Sequence, residues 1–184
     1  MMNSIVVMVV QTIASLLASM CLLRAYMLWL GVRVGLGNSA GAWVVGLTDW
    51  LVLPLRRVMP SIGRLDTASL VAAYLVVLAK IGLMVWLGMG GGLWWMVLWV
   101  AFLDLLALCL SGLFGLVLVH VVLSWVRTDS AMADWVDRMV LPLLWPLRRI
   151  LPTIGGIDLS PLVLLLLIQL CEVALRHLRY SGGF

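Results

Sequence analysis

Two groups of side chains in this sequence have the types and spacing to do chemistry. The first is a set of ionisable residues inside long apolar runs: Arg24, Lys80, Asp104, His120 and Glu172. A charge within a membrane span is costly and is a functional candidate on that ground. Lys80 and Glu172 each lie 14 residues beyond an aspartate, Asp66 and Asp158, that opens an apolar run. That spacing puts both roughly 21 Å along a helix, at one depth. With Asp104 they form an intramembrane charge group. It would serve as an ion or proton relay, as ion pairing that fixes helix packing, or as charges snorkelling to the interface. One lysine and two acids are few for a transport path. The packing role is expected, with Lys80 and Glu172 close in space.

The second group is two Arg-Arg pairs, Arg56-Arg57 and Arg148-Arg149, each inside a phrase that occurs twice. Residues 53–70 read LPLRRVMPSIGRLDTASL, and residues 145–162 read WPLRRILPTIGGIDLSPL, nine of eighteen positions being identical at an offset of 92. Repetition at this period means two copies of one unit, 1–92 and 93–184. Orientation in a membrane requires charge and not a fixed wording, so the phrase is expected to do more than orient. Pro54 and Pro146 precede the arginines, and Pro60 and Pro152 deny continuation of a helix. Gly63 and Gly155 allow a turn, and Asp66 and Asp158 can cap the next helix. The whole reads as a shaped corner that turns the chain back into the bilayer. Its arginines suit lipid phosphate or a partner protein.

The elements that must position these residues follow from composition. With 65% hydrophobic residues, 11% charged and a mean hydropathy of +1.19, an ordinary soluble domain is excluded. Segments 4–23, 81–103 and 105–119 hold no charge, and about 20 such residues cross the hydrocarbon layer as helix. The sequence predicts an all-α membrane protein with four transmembrane helices in two tandem hairpins: 4–30 and 67–88, then 100–126 and 159–178. The first stretch lacks a basic leader and outruns a signal-peptide core, so it is expected to be retained. Gly88 to Gly92 forms an uncharged loop, followed by Trp94, Trp95 and Trp99 in the interfacial belt. Whether 93–126 makes one bent helix or two segments is left open.

The two long connections carry eight arginines, against two in the tail and none at the N-terminus or in the glycine loop. That bias places both connections in the cytoplasm and both termini on the outer, periplasmic side of a bacterial inner membrane. About 35 residues without secondary structure are improbable, so interfacial amphipathic helices are expected in both. In the second, Asp134 is the expected N-cap, with Asp137 in the first turn and Arg138 at i,i+4. Trp135, Val136, Met139, Val140 and Leu143 give the apolar side until Pro142 and Pro146 disturb the backbone. In the first, Trp43, Leu47, Trp50 and Leu51 do the same, from near Thr48-Asp49. Cys21, Cys109 and Cys171 lack paired spacing and read as small apolar residues.

Two hairpins, each with P-L-R-R-x-x-P-x-I-G-x-x-D leading into a span, resemble the YggT family of small bacterial membrane proteins and their plastid relatives. The likeness runs from about 22 to 175. Arg24 and Trp29 align with His120 and Trp125 at an offset of 96. It implies no catalytic residues, and links the chain loosely to osmotic and ion homeostasis, to envelope organisation and, in plastids, to assembly of a cytochrome b-type complex. His120 and His177 would lie near opposite sides of the membrane, so they cannot share one haem. No metal or cofactor and no nucleic acid is expected. The expected function is a non-enzymatic scaffold or assembly factor, touching anionic lipid and a membrane-protein partner or another copy of itself. The alternative is a small ion-conducting or transporter-like protein using Lys80, Asp104 and Glu172.

Overall fold

A computed structural model describes residues 2–31, 39–59, 66–87, 94–126, 130–150 and 158–181. These form six helices: α1 Met2–Trp29, α2 Ser39–Val58, α3 Thr67–Trp86, α4 Trp94–Val126, α5 Ala131–Ile150 and α6 Ser160–Ser181. The described residues contain no strand. α1, α3, α4 and α6 are long and apolar enough to cross a membrane. α4 is one uninterrupted helix of 33 residues. At about 1.5 Å per residue it exceeds the hydrocarbon thickness, so the interfacial lead-in and the span are one element.

The chain packs as two compact units, Met1–Cys109 and Leu110–Phe184, and the division falls inside α4. In the first unit, α1, α2 and α3 pack against one another. Small residues make the close approach: Cys21 of α1 meets Ala68, Ala72 and Ala73 of α3, with Leu22 and Val52 completing the cluster. Among lipid tails, apolar area by itself drives little association, and small side chains that bring backbones together supply packing in its place. Ala18, Val77, Ile81, Val97 and Ala101 continue the seam toward α4. The Tyr74 hydroxyl donates to the Leu98 carbonyl at 3.1 Å, tying α3 to α4. α1 ends at Gly31, whose φ of +69° is a left-handed conformation that side-chain-bearing residues disfavour. In the second unit α5 packs on α6.

The connection helices differ from expectation in three ways. Both are longer, 20 residues each, and α2 starts at Ser39 and not near Thr48. α5 is started by Ser130, whose hydroxyl accepts the Ala133 N–H at 3.2 Å, so Asp134 lies within the first turn and does not cap. Pro54, Pro142 and Pro146 sit inside continuous helix. All three are exposed. The carbonyls they leave unbonded therefore lie toward the outer face of each helix, where solvent or headgroups can satisfy them. Pro60, Gly63, Pro152 and Gly155, and the glycine loop, lie outside the described residues.

Candidate functional site

Successive residues of an α-helix point about 100° apart, so neither Arg-Arg pair can aim both side chains at one target. Arg56 lies one turn beyond the buried Val52, and Arg148 one turn beyond the buried Leu144. Both therefore continue the inward face, and each meets the aspartate ten residues on. Arg56 donates to the two Asp66 oxygens from Nε at 3.4 Å and Nη2 at 2.9 Å. The Ser69 hydroxyl donates to Asp66 Oδ2 at 2.6 Å. Arg148 Nε donates to Asp158 Oδ2 at 2.7 Å. Each unit thus staples the end of its connection helix to the start of the next span.

The caps are not alike. Asp66 holds the N-cap position of α3 through its backbone, with the Leu70 N–H on its carbonyl at 3.3 Å, but its side chain caps nothing. The Asp158 carboxylate does cap, accepting the Ser160 N–H at 2.9 Å. Burial pushes Asp66 upward, but the hydrogen bonds from Arg56 and Ser69, with the charges of Arg56 and Arg24, hold it below the usual carboxylate range. Asp158 is also held low: the effect of its burial is overcome by Ser160 and Arg148.

Arg57 and Arg149 are exposed. The Arg149 guanidinium lies 5.2 Å from the centre of the Trp145 ring, a cation–π contact. The apolar side expected to face the headgroups in α5 is instead its packing face: Trp135, Val136, Met139 and Val140 are buried. Its exposed apolar residues are Met132, Leu141, Trp145 and Ile150. In α2, Trp43, Leu47 and Trp50 are exposed, while Leu51 packs on the core.

Arg24 and His120, aligned in the sequence, make equivalent contacts. Buried Arg24 reaches from α1 to α2, donating from Nη1 to Thr48 Oγ1 at 2.9 Å and Asp49 Oδ1 at 2.7 Å. His120 Nδ1 of α4 lies 2.7 Å from Asp137 Oδ1 of α5. Each ties the helix before a connection to the connection itself. Sequence reading missed both acceptors. A signal was available for Asp49, which opens the otherwise apolar turn Asp49-Trp50-Leu51-Val52, but not for Asp137, which Arg138 follows directly.

Of the three expected intramembrane charges, Lys80 and Asp104 form an ion pair within the first unit. Lys80 Nζ also donates to Ser15 Oγ at 3.3 Å. Glu172, in the second unit, accepts from the Ser111 hydroxyl at 2.8 Å and from Arg176 Nη2 at 3.4 Å. Among the described residues no group of three or more His, Cys, Asp or Glu could hold a metal ion.

The CCB3/YggT family model matches residues 3–87 and 99–179, nearly the whole chain. This chain belongs to the CCB3/YggT family. Among its CCB3/YggT-like relatives, the YggT protein of Escherichia coli is 32% identical over 180 residues, covering 94% of this chain and 89% of that one. A protein of Pseudomonas aeruginosa is 35% identical over 177 residues, covering 94% and 88%. One from Vibrio alginolyticus is 32% identical over 146 residues, covering 77% and 79%. No solved structure matches the chain.

Proposed function

We propose that this CCB3/YggT protein is a non-enzymatic scaffold or assembly factor of the bacterial inner membrane. It would act in envelope organisation or in osmotic and ion homeostasis. In this reading the chain is two tandem hairpins with both termini on the periplasmic side. α2 and α5 lie in the cytoplasmic headgroup layer, and the arginine corners meet lipid phosphate or a membrane-protein partner. Two stretches of similar length matching the family model favour the tandem arrangement. The observation that carries the reading is that the charges inside the spans have protein partners. Lys80 is taken by Asp104 and Ser15, and Glu172 by Ser111 and Arg176. Charges spent on holding helices together are not free to hand an ion along.

The second reading, a small ion-conducting or transporter-like protein, rests on the same Lys80–Asp104 pair, since ionisable residues at span depth also mark ion paths. Flux through liposomes containing the purified full chain separates the two. The scaffold reading expects flux no greater than in empty liposomes. Selective flux that disappears in Lys80→Ala establishes the transport reading and overturns the scaffold.

A further inference from the structure

Resting on the proposal that the arginine corners meet lipid phosphate, we infer that each Arg-Arg pair divides its labour. Arg57 and Arg149 grip the phosphates of anionic lipid, while Arg56 and Arg148 hold the corner and touch no lipid. The division begins in helix geometry. Arg56 and Arg148 continue the buried faces of α2 and α5 and are already hydrogen-bonded to Asp66 and Asp158. Arg56 spends its Nε–Nη2 edge on Asp66 and Arg148 its Nε on Asp158, so that edge of each guanidinium is closed to a two-pronged grip on phosphate.

The neighbouring arginines, about 100° further round, continue the exposed faces. On α2 the exposed stripe runs Trp43, Leu47, Trp50, Pro54, Arg57, at the i, i+4, i+7, i+11, i+14 spacing of one helix face. On α5 it runs Arg138, Leu141, Trp145, Arg149. The α2 stripe is apolar up to its arginine, the α5 stripe holds Leu141 and Trp145 between two arginines, and in each an arginine lies one or two turns beyond the last tryptophan. That is the composition of a surface seated at the headgroup boundary, with rings at the acyl edge and guanidinium at phosphate level. In α5 the Arg149 guanidinium lies over the Trp145 ring, 5.2 Å from its centre, so ring and charge sit together on the exposed face.

The occupant is lipid and not a second protein because the span that follows each stripe also exposes apolar side chains. Leu75 of α3 and Leu162 and Leu166 of α6, in spans that begin ten and eleven residues after the stripes' ends, are themselves exposed and apolar. An anionic headgroup also matches the sign of the arginine that closes each stripe.

Native mass spectrometry of the full chain in detergent, titrated with phosphatidylglycerol, tests the assignment. Arg57→Gln with Arg149→Gln should weaken phosphatidylglycerol retention about fivefold at each site. Thermal unfolding in lipid-free detergent should be unchanged, since both residues are exposed. Arg56→Gln with Arg148→Gln should lower the unfolding temperature and leave retention at the wild-type level. Should that variant not fold, Asp66→Asn with Asp158→Asn frees the same two guanidinium groups and should likewise not reduce retention. Loss of retention confined to the Arg56/Arg148 variant overturns the division of labour while leaving the lipid reading intact. Wild-type retention in both glutamine variants overturns the lipid reading itself.

Discussion

Breaking the two corner ion pairs one at a time should cost the protein unequally. Arg56 and Arg148 are matched in exposure, at 40% and 42%, but Asp66 is 2% exposed and Asp158 30%. In Arg56→Gln the carboxylate of Asp66 keeps only the Ser69 hydroxyl, and the new amide can at most replace the long 3.4 Å contact from Nε. Stranding a buried charge costs about 3–5 kcal/mol. Part of that is recovered by the remaining hydroxyl and by solvent that already reaches Arg56, leaving an expected loss of about 2–3 kcal/mol. In Arg148→Gln, water takes the place of the guanidinium at Asp158, whose other oxygen keeps the Ser160 N–H. That loss should be about 0–1 kcal/mol. Equilibrium unfolding of the full chain in mixed micelles reads the difference, about 2 kcal/mol, with Arg56→Gln plus Asp66→Asn as the control that removes the stranded charge. Equal losses from Arg56→Gln and Arg148→Gln would refute the argument from burial. So would a double variant as unstable as Arg56→Gln alone.

The pH dependence of the same corner follows from its sign. Asp66 titrates lower when folded than the usual value of about 3.9, so its contribution is complete above about pH 4 and is lost as pH falls through the depressed value. The stability margin of wild type over Asp66→Asn should therefore be flat from pH 7 to 5 and close only in acid; a margin that shrinks near neutrality contradicts this. At the half-buried Lys80–Asp104 pair, either alanine substitution alone should be more damaging than both together, measured as retained folded protein after heating in detergent. Single losses that simply add in the double variant would show the pair to be uncoupled. For topology, a C-terminal alkaline phosphatase fusion should be active and a C-terminal green fluorescent protein fusion dark. The reverse pattern excludes periplasmic termini.

Amino-acid order alone was enough for the membrane class, the four spans and the helical nature of both connections. Each of these rests on a local property: uncharged length against bilayer thickness, or apolar residues recurring at helical spacing. The corner pairing was half legible. The doubled phrase marked Arg56, Arg148, Asp66 and Asp158, but not which arginine of each pair the aspartate takes. That choice was decided by the phase of α2 and α5, set by burial of Val52 and Leu144 in the packed units. The helix runs on through Pro142 and Pro146, where a disturbed backbone was expected, because one lost hydrogen bond per proline is a smaller loss than unpacking the face that carries Met139, Val140 and Leu144. The partners of the charged residues were likewise decided by tertiary packing. Lys80 with Asp104, Arg24 with Asp49 and His120 with Asp137 each join different helices. Helical periodicity says which face of its own helix a side chain occupies, and only packing says which other helix that face meets.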